Sequence, residues 1–366
     1  MTGRLHAQRL AGDQLRAQCA RFLLLEVKEG RWSKQSAMKK VVVTDHVFAS
    51  LDPEREVLSA LPAQLVEADA SSRDQLLAQV ADADGILNCY YRPVDRELLE
   101  AAPRCLVVAR YGIGVDTIDV AAATDLGLIV ANVPSYCVEE VADHTIALLL
   151  ACARKIVRLD GIVRGGVWDH KGVGAIHRLR GRVLGLIGFG KIARRVAVRA
   201  QALGLAVRCH DPAVAPAECE RLAVESTGLP SVLADSDFVS LHVPLNDETR
   251  HMIGERELAA MKPTAYLINT ARGALVDSAA LRAALETGQI AGAGIDLLDE
   301  TTPFDPDDPL LRLPNLVITP HAAWYSVEAV TELQRTAAEE VARVLRGERP
   351  LSMVNPEVWE RARVNR

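Results

Sequence analysis

Val183-Leu184-Gly185-Leu186-Ile187-Gly188-Phe189-Gly190-Lys191-Ile192-Ala193 is the stretch that decides how the rest of the chain is read. An apolar run enters Gly188-x-Gly190-x-x-Ala193, and a helical pattern follows as far as Leu203. The first glycine permits a tight turn, and the second lets backbone approach a pyrophosphate. Ala193 is small enough for the helix to sit against the strand. The N–H groups at the helix start are donors for phosphate. The next strand-like run, Ala206–His210, ends in Asp211, about 20 residues on, where a carboxylate meets the ribose hydroxyls. That acid repels a 2′-phosphate, so NAD is expected rather than NADP. Gly188, Phe189, Gly190, Lys191, Ile192, Ala193 and Asp211 form the expected cofactor-binding turn.

Outward from this turn, short apolar runs alternate with helical patterns. Strands are predicted at 41–44, 63–67, 85–88, 105–109 and 128–131, with helices at 54–61, 72–80 and 95–102. The alternation restarts at Arg182 and runs to about Thr319. It predicts an α/β protein with parallel sheets covered by helices. One long helix is expected over 138–163. Glu139, Glu140 and Asp143 lie early in it, and Arg154, Lys155 and Arg158 late, the polarity that suits the helix dipole. The last periodic helix spans Val327–Leu345.

The chain has 366 residues, a length that suggests two domains. Its 42 basic and 48 acidic residues give a net charge of −6, and nothing in that balance points to nucleic acid. The longest apolar stretch, about 145–153, is far short of the roughly 20 residues a membrane span needs. The seven cysteines are scattered with no CxxC pair, so reduced thiols in a cytoplasmic protein are expected, with no disulfide framework and no metal site. Residues 1–37 read differently. Arg4, Arg9, Arg16, Arg21, Lys28, Arg31 and Lys34 face only Asp13, Glu26 and Glu29. They are read as a helical or loosely ordered N-terminal extension, or else as the product of an upstream start codon with Met38 as the natural beginning.

Two further strand ends carry chemistry. Leu267-Ile268-Asn269-Thr270-Ala271-Arg272-Gly273 puts an arginine beyond an apolar run, where ligands bind in open parallel sheets. Its planar fork suits a carboxylate, although taken alone it reads more readily as a surface ion pair. Val317-Ile318-Thr319-Pro320-His321 places an imidazole at another strand end, either an acid/base or a structural histidine. Together they match one reaction. Hydride reduction of a 2-keto acid needs a cation for the carboxylate and a proton donor for the developing oxyanion.

Residues 38–350 resemble the D-isomer-specific 2-hydroxyacid dehydrogenase family. The matching motifs are Tyr111-Gly112-Ile113-Gly114-Val115-Asp116, Asn132-Val133-Pro134, the 188–193 turn, the 269–273 strand end, and Thr319-Pro320-His321-Ala322-Ala323-Trp324. Within the family, 133–143 and 320–326 resemble the branch that includes the C-terminal-binding protein corepressors. The resemblance implies a Rossmann-type NAD-binding domain, 135–325, inserted into a flavodoxin-like substrate-binding domain, 38–134 and 326–352. The remaining C-terminal residues are expected to lie outside the fold.

By the same resemblance, Arg272 holds the substrate and His321 is the acid/base. Backbone at Tyr111, Gly112, Ile113 and Gly114 cradles the carboxylate, with Arg110 as a second cation and Tyr90 and Trp324 walling the pocket. Val243, Pro244 and Thr249 line the adenosine side. Thr270, Ala271 and Asp296 lie along the ribose and nicotinamide. The helix over 138–163 is implied to join a homodimer.

One departure stands out. The family sets a glutamate five residues after the aspartate of its strand end, and here Thr301 occupies that register, with Glu300 one residue early. Glu300 is the expected partner of His321 if the loop bulges; otherwise the dyad is broken. The expected activity is NAD-dependent interconversion of a small D-2-hydroxy acid and its 2-keto acid. An NADH-sensing interaction protein with little turnover is the rival reading. Hydride transfer from formate or phosphite on the same scaffold is another.

Overall fold

A computed structural model describes residues 37–299 and 303–365. Two parallel sheets account for its strands. The first holds β1 (Lys39–Val43), β2 (Ala63–Glu67), β3 (Gly85–Asn88), β4 (Val107–Arg110) and β5 (Ile129–Ala131) in the order β2-β1-β3-β4-β5. The second holds β6 (Val183–Ile187), β7 (Ala206–His210), β8 (Glu225–Ser226), β9 (Phe238–Leu241), β10 (Tyr266–Asn269), β11 (Gly292–Ile295) and β12 (Leu316–Ile318), in the order β12-β11-β10-β9-β6-β7-β8. The first is the flavodoxin-like order, and the second is the Rossmann order with one strand added. Central strands β3, β4, β9 and β11 are buried throughout, which is why they read as continuous apolar runs without alternation.

The chain builds the first sheet, then the whole second sheet, and then returns. Ser326 caps the returning helix Val327–Leu345, its hydroxyl accepting from the Ala329 N–H at 2.9 Å. That helix packs on β3, β4 and the helix Asp52–Leu58. Ala337, Val341 and Val344 from it are fully buried in one core with Val41, Leu87 and Val107. The fold is therefore a Rossmann-type domain inserted into a flavodoxin-like one.

Two expectations are corrected. The helix expected over 138–163 is two helices, Val138–Arg154 and Ile156–Arg164, because Lys155 adopts φ +54° and ends the first. Its N–H bonds the Cys152 carbonyl at 3.1 Å, and its ammonium bonds the Val173 carbonyl. Residues beyond 350 are not outside the fold. Met353 bridges Ala131 in antiparallel fashion, and Val354 N–H donates to the Val130 carbonyl at 2.8 Å. The buried Asn355 side chain takes the Val130 N–H at 2.9 Å and donates to the Leu128 carbonyl at 3.0 Å. This segment covers β5, an edge strand that would otherwise present unpaired backbone.

Among the described residues no helix is long and apolar enough to cross a membrane, and no His, Cys, Asp and Glu group could hold a metal. Six cysteines are buried free thiols, and Cys19 falls outside the described residues. So do residues 1–36, where the extension was expected, and Glu300.

Candidate active site

The turn after β6 is shaped by contact. Gly188 has φ +90°, and a Cβ there would stand 2.6 Å from the His242 carbonyl oxygen, so only glycine fits. The Phe189 N–H donates to Asp211 Oδ2 at 2.7 Å, and the Ala213 N–H donates to Oδ1 at 2.9 Å. Asp211 thus ties the ends of β6 and β7 together. Gly190 faces open space, with no atom within 4 Å of where its Cβ would lie. No side chain caps the helix Lys191–Ala202 that starts there. An open cradle, uncapped N–H donors and a carboxylate on the next strand fit a dinucleotide.

A cleft of about 470 Å³ lies beyond the carboxyl ends of strands from both sheets. Tyr90, Arg110, Ile113 and Gly114 line it from the first sheet. Gly190, Lys191, Ile192, Ala193, Val243, Pro244, Thr270, Ala271, Arg272, Asp296, His321 and Trp324 line it from the second. Residues from 90 to 324 are therefore gathered at one place.

Arg272 follows β10. Its Nε donates to Asp116 Oδ2 at 2.8 Å, and its Nη1 donates to the Ala271 carbonyl at 2.7 Å. The Asn269 side chain braces this loop, accepting from the Ala271 N–H at 3.0 Å and donating to the Arg272 carbonyl at 2.7 Å. Gly114 makes room for the guanidinium, since a Cβ there would lie 1.9 Å from Arg272 Nη2. Thr270 Oγ1 bonds Thr145 Oγ1 at 2.8 Å.

Arg110 is 5% exposed and lies over the Tyr90 ring, its Cζ 4.8 Å from the centroid. Its Nη1 donates to the Tyr111 carbonyl, while Nε is buried without a partner. Among the described residues no carboxylate pairs with it. Tyr90 is held by Asp45, whose carboxylate accepts from the N–H groups of Cys89 (3.1 Å), Tyr90 (2.7 Å) and Tyr91 (2.7 Å).

His321 has φ +54°, a conformation that costs a non-glycine residue energy and persists where surroundings enforce it. The enforcement comes from Asp296. Its backbone carbonyl accepts the His321 N–H at 2.7 Å, and its carboxylate accepts from the Ala322 N–H at 3.0 Å, the Ala323 N–H at 2.8 Å and the Thr319 hydroxyl. The Tyr90 and His321 rings are 5.3 Å apart. Nearby, His242 lies packed at the cleft wall, and burial pushes it down to about 4, so its ring is neutral at physiological pH.

Several of the expected residues do not line the cleft with a side chain. The Tyr111 ring is fully buried, edge-on to Phe48, with its hydroxyl donating to Glu54 Oε1 at 2.8 Å. The Phe189 ring is buried under the Arg194 guanidinium. The Thr249 hydroxyl turns back to the Pro244 carbonyl at 2.7 Å, and Gly112 and Gly188 shape their turns without lining the space. The Asp296 carboxylate lies at the cleft but gives its acceptors to the His321 loop. Asp45, Asp116 and His144 support the site and were not assigned roles from sequence. Asp116 lies in a motif quoted for its glycines, and nothing in the local pattern ties Asp45 or His144 to the site.

A model of the D-isomer specific 2-hydroxyacid dehydrogenase, NAD binding domain, matches residues 146–323. The glyoxylate reductase of Korarchaeum cryptofilum is 43% identical over 290 residues, covering 78% of this chain and 87% of that protein. The chain belongs to the D-isomer specific 2-hydroxyacid dehydrogenase family. Among solved structures, a glyoxylate reductase from Paecilomyes thermophila matches with TM-score 0.79 and 32% identity, over 88% of this chain and 99% of that one. The D-lactate dehydrogenase of Aquifex aeolicus, complexed with NAD and lactic acid, matches with TM-score 0.77 and 29% identity, over 84% and 96%. As a member of this family the chain is an NAD-dependent oxidoreductase that interconverts a 2-hydroxy acid and its 2-keto acid.

Proposed function

We propose that the cleft reduces a small 2-keto acid to the D-2-hydroxy acid, and runs the reverse, with Arg272 and His321 as its catalytic residues. The observation that carries this reading is the convergence of both side chains on the cleft that Gly190 and the start of the helix after it also line. Bound NAD supplies or accepts the hydride. The Arg272 guanidinium orients the substrate carboxylate and carbonyl. His321 donates a proton to the carbonyl oxygen as negative charge develops there, and in the reverse direction its neutral ring takes the hydroxyl proton. Arg110 supports an anionic substrate, because a buried guanidinium without a carboxylate partner is stabilised by one that arrives with the ligand. Glu300, outside the described residues, is proposed as the partner of His321.

Lys191, Ile192 and Ala193 at the helix start, Val243 and Pro244, and Thr270 and Ala271 would hold the dinucleotide, with Asp211 toward the ribose. Residues 38–134 and 326–365 form the substrate-binding domain, and 135–325 the cofactor domain. Glyoxylate is the first substrate to test, because the Korarchaeum cryptofilum relative is a glyoxylate reductase. The protein is proposed to act in the cytoplasm as a homodimer. Helix Ile156–Arg164 supports the dimer, since it buries none of its residues, and Ile156, Val157 and Val163 lie exposed close to Val167 and Trp168, the last 91% exposed.

The test is a turnover screen of glyoxylate, hydroxypyruvate and phenylpyruvate with NADH and with NADPH. Loss of NADH absorbance supports the enzyme. NADH-dependent association without turnover would support a sensor instead. Oxidation of formate or phosphite that survives His321→Ala would point to a different hydride donor.

A further inference from the structure

His144 lies on the helix Val138–Arg154, and that helix packs against β11 and β12, the strands that end in Asp296 and in the His321 loop. Its Nε2 is 2.9 Å from Thr319 Oγ1 and 3.5 Å from Asp296 Oδ1. The order of donors follows from counting protons. A carboxylate only accepts, so the Thr319 hydroxyl spends its single hydrogen on Asp296 Oδ1. The Thr319 oxygen then faces His144 Nε2 as an acceptor, and Nε2 must carry the hydrogen. The chain runs from His144 Nε2–H to Thr319 Oγ and on to Asp296 Oδ1.

This chain ends on the group that fixes His321. Asp296 is fully buried, and no lysine or arginine among the described residues pairs with it. It is satisfied by the Thr319 hydroxyl and by the N–H groups of Ala322 and Ala323, the two residues after His321. We infer that His144 is a positioning residue for the proposed acid/base: through Thr319 and Asp296 it holds the loop that keeps His321 in its left-handed conformation. His144 does not touch the reacting atoms. It fixes the rotamer of Thr319, and so the orientation of the Asp296 carboxylate beneath the loop. Loss of one donor in this chain frees the carboxylate to rotate, and His321 then spends less time in register with the substrate carbonyl.

The inference rests on the proposed role of His321, and its test separates the two. Steady-state rates with NADH and glyoxylate are measured for the wild type, His144→Gln, His144→Leu and Thr319→Val. Glutamine offers an N–H donor on a side chain of similar reach, whereas leucine offers only bulk. We expect His144→Leu and Thr319→Val each to lower kcat roughly 10- to 100-fold, with KM for NADH within about 2-fold of wild type. His144→Gln should recover most of the loss. The double variant should be no worse than about 2-fold below the poorer single one, because both cut the same chain. Equal losses for glutamine and leucine, or a kcat for Thr319→Val within about 2-fold of wild type, would overturn the inference. Thr319→Val carries the decision if His144→Leu does not fold. A wild type that turns over no 2-keto acid would instead overturn the proposed function.

Discussion

Arg272 Nε donates to Asp116 Oδ2 at 2.8 Å, joining a strand end of the second sheet to the Gly112–Gly114 loop of the first. The two residues are 156 positions apart, and the bond spans the cleft between the two domains. It leaves the guanidinium anchored at Nε and at Nη1, so its planar face is set before a substrate arrives. An anchored arginine loses less freedom on binding than a free one.

Asp116→Asn keeps the shape and removes the charge. KM for the 2-keto acid should rise about 5- to 20-fold, with a smaller change in kcat, because Arg272 remains but is less firmly held. Steady-state kinetics on the purified variant checks this. An unchanged KM would mean that the ion pair does not prepare Arg272.

Asp211 accepts from the Phe189 and Ala213 N–H groups, and is proposed also to exclude a 2′-phosphate. Asp211→Ser removes the like charge while leaving an acceptor. The preference for NADH over NADPH should fall by about 10-fold or more, read as the ratio of the two kcat/KM values. A ratio that stays put would place the selectivity elsewhere.

The strain at His321 gives a prediction of opposite signs. Glycine adopts φ +54° at no steric cost, so His321→Gly should fold at least as stably as the wild type by thermal unfolding. Its turnover should nevertheless fall by about 100-fold or more, since the proposed proton donor is gone. A variant that unfolds well below the wild type would show that the ring itself contributes stability and that the backbone is not strained.

Much of this arrangement was legible in the sequence, for reasons that particular residues make clear. The buried parallel strands announced themselves as apolar runs, and the Gly188–Ala193 turn named the cofactor because its chemistry is local. The helix break at Lys155 was hidden, since lysine carries no breaking signal and its left-handed conformation is set by contacts such as that with Val173. Residues 353–365 have no helical or strand period, yet pack on the β5 edge through Asn355, a contact made across more than 220 residues. Tyr111 leads the glycine loop, whose backbone is the part expected at the site. Its ring points the other way, to Glu54, which the sequence places 57 positions earlier. Asp45 and His144 were missed for the same reason: each acts through a partner distant in the chain.

His242 sets an acid limit on stability. Burial holds its pKa at about 4 in the folded protein, against about 6.5 when unfolded. Between those values the unfolded chain binds a proton that the folded one does not, so stability is full above pH about 6.5 and declines as pH falls toward 4, by up to about 1.4 kcal/mol per pH unit. Urea midpoints measured at pH 7, 5.5 and 4.5, round values spanning this window, should fall less steeply for His242→Gln than for the wild type. Parallel declines would assign the acid sensitivity to other groups.

The proposed role of Arg272 in turnover is tested by the rate of NADH consumption with glyoxylate by the wild type and by Arg272→Gln, alongside NADH binding by each. The expected result is turnover by the wild type, a loss of about 100-fold or more in kcat/KM for the variant, and NADH affinity within about 3-fold for both. NADH bound equally well by both proteins, with a rate that does not depend on Arg272, would contradict it.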